Sequence, residues 1–226
     1  MNREIVCRAN ALLLLLVLLC CAGVASAQGW YMGAAAGLSM VDDAGCSHLG
    51  RVLDPGFSCN GSDASTGWKI FAGYELSRYL AVEGSYVDLG EFEVSASGNR
   101  LGSPPGNTMT AKGTNKLTGF GLDMVGTWPA NEQWGVIGQA GIFLWTQDFV
   151  LTTASVFVGV PGGTESEKPT RTSLEFGVGV KYDITKNLAA RVQLQRFAGI
   201  GNDTTGKLDA NLVSFSLAYR FRSSFY

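Results

Sequence analysis

Apolar and polar residues alternate along most of the chain after residue 28. In the stretch 173–194, one parity carries apolar side chains such as Leu174 and Phe176, whereas the other carries Glu175, Lys181 and several glycines. A period of two is typical of β-strands, because successive side chains of a strand point to opposite faces. The pattern therefore predicts strands that have one apolar and one polar face.

The connections between these strands alternate in length. Three of them have about three to five residues, and the other four are longer and polar: 41–66, 91–116, 148–172 and 199–209. Short periplasmic turns at one end and long extracellular loops at the other are typical of bacterial outer-membrane barrels. The alternation marks eight segments: 29–40, 67–76, 80–90, 117–128, 134–147, two within 173–194, and 210–221.

The segments have the length that a strand needs to cross the apolar part of a membrane. Ten or eleven residues at about 3.3 Å each, tilted near 45°, rise roughly 25 Å, the height of the apolar band of such barrels. Aromatic residues fall where interfacial belts are expected. Those beside the short turns are Trp30, Tyr79, Trp128, Trp134 and Tyr182, and those nearer the long loops are Trp68, Tyr86 and Phe120.

These observations predict an all-β fold: an eight-stranded antiparallel up-and-down transmembrane β-barrel. Its apolar face contacts lipid and its polar face lines the interior, and closure of the sheet leaves no unpaired edge. The alternative is a soluble secreted sandwich that buries the apolar face. That alternative does not explain why the polar face is so rich in glycine: Gly33, Gly37, Gly73, Gly119, Gly121, Gly177 and Gly179.

The N-terminal segment predicts export. A basic start, an apolar run over 11–19 and the small residues "ASA" ending at Ala27 are typical of a cleaved secretory signal peptide. The run is too short for a membrane-spanning helix, which needs about 20 residues. A lipoprotein signal at Cys20 or Cys21 is disfavoured because leucine or cysteine precedes each of them. We expect residues 1–27 to be removed and 28–226 to form one barrel domain.

Composition limits the kinds of functional site that the chain can have. The formal net charge of −2 gives no basic patch for nucleic acid. In an exported chain, Cys46 and Cys59 are expected to form a disulfide. The single histidine, His48, lies between them without a Ser, Asp or Glu partner at motif spacing, so the sequence predicts no catalytic, cofactor or metal site.

Several polar-face residues carry charge. Glu83 and Arg191 lie about five residues above their turns on opposite strands of the predicted barrel, so we expect them to pair across the interior. Lys181, across the hairpin from Arg191, would be neutralised by Asp123 and by Glu75 one level lower. Higher up, Lys69 and Glu175 form a second predicted pair. Buried charges persist only when paired and hydrogen-bonded.

The order of these features resembles the eight-stranded transmembrane domain of the outer membrane protein A family. The stretches that carry the resemblance are "VEGSYVDLGEF" (82–92), "VKYDITKNLAARVQLQ" (180–195) and "LVSFSLAYRF" (212–221). The last is similar to the signal read by the barrel-assembly machinery, with alternating Phe215, Leu217, Tyr219 and Phe221. Whether Phe221 or Tyr226 is its terminal aromatic residue stays open.

The resemblance implies further expectations. They include a Gram-negative outer-membrane location, contact with lipopolysaccharide, delivery by periplasmic chaperones, a monomeric state and an interior charge cluster that gates the barrel. The alternative is that the cluster is a packed polar core through which no ions or solutes pass. Because the sequence stops at Tyr226, we expect no peptidoglycan-binding domain.

The leading functional hypothesis is a structural and surface-interaction protein that displays loops, with adhesion or membrane integrity as its role. The alternative is a narrow gated ion channel, and a third, disfavoured class is a lipid-modifying enzyme or protease. A porin for large solutes would need about 16 to 18 strands.

Overall fold

The computed structural model describes residues 29–41, 58–99, 108–155, 164–167, 170–202 and 206–221. All regular structure within these ranges is β-strand. Among these residues there is no helix with the length and apolarity needed to span a membrane. The strands are β1 (Gly29–Val41), β2 (Ser58–Gly61), β3 (Ala64–Glu75), β4 (Leu80–Asn99), β5 (Thr108–Pro129), β6 (Trp134–Ser155), β7 (Thr164–Glu167), β8 (Thr170–Asp183), β9 (Leu188–Asn202) and β10 (Gly206–Phe221).

Eight of these strands form a closed antiparallel barrel, which confirms the predicted fold class. The wall runs β1-β3-β4-β5-β6-β8-β9-β10, and β1 closes it by pairing with both β3 and β10. Trp30, for example, lies opposite Tyr74 on one side and Phe221 on the other. Every wall strand therefore has two neighbours, and the barrel has no open edge in the membrane.

The three short turns lie at one end of the barrel, here called the turn end, and the opposite end is the loop end. Each turn is held by one polar side chain that accepts two backbone N–H hydrogen bonds. Ser77 Oγ accepts from Tyr79 and Leu80, and Asn131 Oδ1 accepts from Gln133 and Trp134. Thr185 Oγ1 does the same in the third turn. Such side-chain contacts are what favour Ser, Thr and Asn in tight turns.

Several strands are longer than the sequence pattern predicts, and β4, β5 and β6 extend furthest, continuing beyond the wall at the loop end. The predicted loops 91–116 and 148–172 are therefore in part strand, and β2 and β7 add to the outer edges of this extension. The register between β4 and β5 shifts between Asp88 and Gly90, and Gly90 has a φ of 87°. This bulge reverses the parity of β4, so the apolar residues Phe92 and Val94 face inward.

The barrel interior has three layers. An apolar layer near the loop end includes Leu89, Leu117, Phe143, Trp145 and Phe197. A second apolar layer near the turn end contains Tyr31, Ala35, Phe71, Ala81, Val125, Ile137 and Ala218. The buried charged residues Lys69, Glu83, Asp123, Glu175 and Arg191 lie between them. The outward face carries exposed apolar residues, as expected for contact with lipid.

Candidate functional site: the interior ion cluster

Glu83 is the centre of the polar layer. It projects inward from β4 and is fully buried. Arg191 Nη1 on β9 lies 3.0 Å from its Oε2 atom, and Lys69 Nζ on β3 lies 3.0 Å from its Oε1 atom. The Tyr31 hydroxyl on β1 donates a hydrogen bond of 2.9 Å to Oε2. One carboxylate thus holds two cations and a phenol from three other strands.

Two aromatic rings lie close to the guanidinium group of Arg191. The guanidinium carbon lies 4.9 Å from the centroid of the Tyr31 ring and 5.2 Å from that of Phe71. Tyr31 has room because a Cβ on Gly73 would lie 2.3 Å from its ring. The contacts are of the cation–π kind and add to the ion pair. Tyr31 was not among the predicted site residues, although its parity, opposite to Trp30, places it inside.

The predicted pair of Lys69 and Glu175 is wrong, because Lys69 pairs with Glu83 instead. The register places Lys69 opposite Val87, so its long side chain extends toward the turn end to reach Glu83. Glu175 is held by neutral amides: its Oε1 accepts from Gln139 Nε2 at 3.1 Å and from Gln195 Nε2 at 2.5 Å.

Lys181 also has a different partner from the one predicted. Its Nζ lies 3.1 Å from Asp183 Oδ2 on the same strand, and Glu75 Oε1 accepts from Arg220 Nε at 2.9 Å. These two ion pairs lie at the turn end and are partly exposed. The prediction compared heights by counting residues from the turns. Because barrel strands tilt and are staggered, equal counts on distant strands do not mean equal heights.

The amide network around Glu175 was missed by sequence reasoning. Gln193 Nε2 donates to Gln139 Oε1 at 2.8 Å, and Gln139 in turn donates to Glu175. All three glutamine side chains are buried. Their inward parity was available as a signal, but a neutral side chain gives no indication of which charge it will contact. Together with the ion pairs, this network fills the middle of the barrel.

The remaining predicted residues do not belong to the interior cluster. The assembly-signal residues face outward on β10 and are exposed, and the rings of Tyr219 and Phe221 are 5.1 Å apart. Cys59 lies in β2, whereas Cys46, His48, Tyr226 and the signal segment lie outside the described residues. Within the described ranges, no group of three His, Cys, Asp or Glu side chains is placed to hold a metal ion.

Comparisons with known proteins agree with this architecture. The family model for the OmpA-like transmembrane domain matches residues 25–224. Outer membrane protein A of Serratia marcescens is 28% identical over 194 residues, which cover 85% of this chain and 49% of that protein. The chain thus spans about half the length of such relatives. An uncharacterized protein of Coxiella burnetii is 26% identical over 222 residues, covering 87% of this chain and 86% of the other.

A solved structure, that of Neisserial surface protein A, superposes with a TM-score of 0.50 and 14% identity, covering 85% of this chain and 97% of that one. That likeness concerns the fold alone. The family match covers nearly the whole chain, and it agrees with the closed barrel and its lipid-facing apolar wall. The chain therefore belongs to the OmpA-like transmembrane domain family and is a protein of the bacterial outer membrane.

Proposed function

We propose that this protein is a membrane anchor that presents a rigid β-sheet to the cell exterior for surface interaction. The observation that carries the proposal is the extension of β4, β5 and β6 beyond the wall. β4 continues for about nine residues past Gly90, roughly 30 Å of strand. Ordering a surface loop into strands costs conformational entropy. Such order is therefore expected where the loop must hold a defined position for binding.

The extension has separate inner and outer faces. Phe92, Val94 and Ala96 are buried on the inner face. The outer face carries exposed charges, and Glu91 lies opposite Lys116 in the register. A polar groove along β2, β4 and β5 is lined by residues of both faces: Asn60, Gly61, Ser62, Glu93, Val94, Ser95, Lys112, Gly113 and Thr114. We expect a polar ligand there, such as a glycan or a matrix protein, with lipopolysaccharide contacting the wall below.

The alternative function, a narrow ion channel, requires a continuous polar path. In the described residues the polar layer lies between two apolar layers, and Phe143, Trp145 and Leu117 at the loop end are fully buried. An ion that crosses this layer would lose its hydration, which is costly without polar partners. The apolar layers favour the anchor over the channel.

The remaining expectations belong to the same proposal. The protein acts without catalysis, its apolar wall contacts membrane lipid, and the exposed aromatic strand β10 is the segment read by the barrel-assembly machinery after delivery by chaperones. The barrel functions as a monomer, and its wall leaves no strand edge for pairing with a second copy.

The test removes the extension while keeping the wall. In one variant, residues 94–113 are replaced by an Asn-Gly turn that joins Glu93 to Thr114, which are already register partners. We expect the variant to fold and insert but to lose binding of whole cells to immobilised host-matrix proteins and glycans. Glu91→Gln, a single change on the exposed face outside the groove, is the control for a general loss of surface charge.

Bilayer conductance of the purified protein distinguishes the alternative. The anchor predicts a conductance at the level of protein-free lipid for both wild type and variant. Reproducible current steps in the wild type, together with unchanged cell binding in the variant, would overturn the proposal in favour of the channel.

A further inference from the structure

Three carboxylates share one row of the barrel wall. In the pairing register, Glu83 on β4 lies opposite Asp123 on β5, Asp123 lies opposite Gly141 on β6, and Gly141 lies opposite Glu175 on β8. All three acidic side chains are at most 1% exposed. Gly141 leaves the row open between two of them, because a Cβ there would lie 2.3 Å from Asp123 Oδ1.

The cations of the cluster do not neutralise this row. Lys69 and Arg191 both make their ion pairs with Glu83. Among the described residues, no cation lies within ion-pair distance of Asp123 or Glu175. If all five groups are ionised, three negative charges face two positive ones. An uncompensated charge in a closed, poorly solvated interior is strongly unfavourable.

Three unpartnered oxygen atoms converge beside Gly121. The point where a Cβ of Gly121 would lie is 2.6 Å from Ser85 Oγ, 2.9 Å from Glu175 Oε2 and 3.4 Å from Asp123 Oδ2. Each of these atoms is buried and has no hydrogen-bond partner. Ser85 is 6% exposed and its Oγ is inaccessible to solvent, so the hydroxyl shares this interior space with the two carboxylates.

The second oxygen of Glu175 is fixed in place by its neighbours. Gln139 and Gln195 both donate to Oε1, so the carboxylate plane is oriented and Oε2 points to the shared space. Amide donors on one carboxylate oxygen are the kind of support that keeps a ligand atom in position.

We propose that Asp123, Glu175 and Ser85 form a binding site for one monovalent alkali cation such as Na⁺. Carboxylate and hydroxyl oxygens are hard ligands that suit hard cations. One added positive charge balances the five ionised groups, whereas a divalent ion would leave an excess. The turn-end apolar layer has two rings, Tyr31 and Phe71, and several small residues, whereas the loop-end layer has four rings. The cation therefore enters from the turn end.

A cavity of about 10 Å³, close to the smallest volume that holds one water molecule, lies at the turn end of the interior. Its lining includes Arg191 on the side of the polar layer and Glu75 with Arg220 at the turn end. The ion inside stabilises the barrel by neutralising the acidic row. This inference is independent of the surface role proposed above, because the site lies within the wall.

The test is a cation titration of the folded barrel in a zwitterionic detergent. NaCl replaces choline chloride at constant ionic strength, because choline is too large for the site. In the wild type, we expect the amide resonances of Ser85 and Gly121 to shift saturably with Na⁺. Above the dissociation constant, the unfolding equilibrium constant in urea should fall about tenfold for each tenfold rise in Na⁺.

Asp123→Asn removes one charge from the row and should abolish both responses, and Ser85→Ala should weaken Na⁺ binding while keeping both carboxylates. The control Glu93→Gln, on the exposed part of β4, should respond as the wild type does. Identical resonances and stability in Na⁺ and choline would overturn the proposal and leave a shared proton as the neutralising group. A full Na⁺ response in Asp123→Asn would also overturn it, since the ion would then bind elsewhere.

Discussion

Replacement of Glu83 is the most direct test of what stabilises the barrel interior. Glu83→Ala removes the acceptor for Tyr31 and the counter-charge for both Lys69 and Arg191, each of which lies 3.0 Å from it. Both cations would then remain inside a closed layer. Breaking a buried ion pair by removing one partner costs about 3–5 kcal/mol. We therefore expect Glu83→Ala to lower the free energy of unfolding by about this amount.

Graded variants separate charge from packing. Glu83→Gln keeps the shape and an oxygen acceptor for Tyr31 or Arg191, so its cost should be smaller than that of Glu83→Ala. Arg191→Ala should resemble Glu83→Ala. The double variant should cost less than the sum of the two, by about 0.5–3 kcal/mol, because the two residues interact directly.

The assay is urea unfolding of the refolded protein in detergent, followed by tryptophan fluorescence and by the gel mobility of unheated samples. Glu93→Gln, the same chemical change at an exposed position of the same strand, is the control and should leave stability within about 0.5 kcal/mol of wild type. Bilayer conductance is recorded in parallel, since water admitted by the unpaired cations would appear as current. Wild-type stability and conductance in both single alanine variants would refute the reasoning and show that the cluster is solvated.

Further predictions concern the wall and the first loop. The unheated protein should keep a folded gel mobility in SDS until it is boiled, and equal mobilities before and after heating would contradict a closed wall. Gly141→Ala should destabilise the barrel by about 1–3 kcal/mol, because its Cβ would lie 2.2 Å from a backbone oxygen, whereas Gly138→Ala on the lipid side has no atom within 4 Å and should be neutral in the same unfolding assay. Cys46 and Cys59 should form a disulfide across a loop of about 14 residues, worth roughly 3 kcal/mol; thiols that are alkylated at both positions without reductant would disprove it. His48→Ala should leave any lipid-modifying or protease activity of the membrane fraction unchanged, and its loss would reopen the enzyme class.

The barrel wall could be predicted from the sequence because its determinants are local. Side-chain direction alternates along a strand, so parity alone separates lipid-facing residues such as Phe215 from interior ones such as Ser214. The extension of β4 could not be predicted in the same way. The bulge at Gly90 reverses the parity, and a periodic pattern that changes phase looks like the end of a strand.

The partners of the interior charges depend on information that no single segment contains. Which side chains meet is determined by strand tilt and stagger, and these are properties of the closed sheet. Parity correctly places five charged residues on the inner face: Lys69, Glu83, Asp123, Glu175 and Arg191. It does not give their relative positions along the barrel axis. Neutral side chains add to the difficulty, since glutamines that hold a carboxylate have no charge to match.

The positions of the interior charged residues also indicate which part of the molecule stabilises the barrel and which part is free to bind ligands. A water-filled pore would tolerate charges at any height, because solvent would screen them. Here the buried charged residues Lys69, Glu83, Asp123, Glu175 and Arg191 lie in one layer, and apolar residues flank that layer on both sides. This arrangement supports the proposal that the interior polar groups stabilise the wall and do not conduct ions. In the function proposed above, contact with molecules outside the cell is the role of the five-stranded extension formed by β2, β4, β5, β6 and β7.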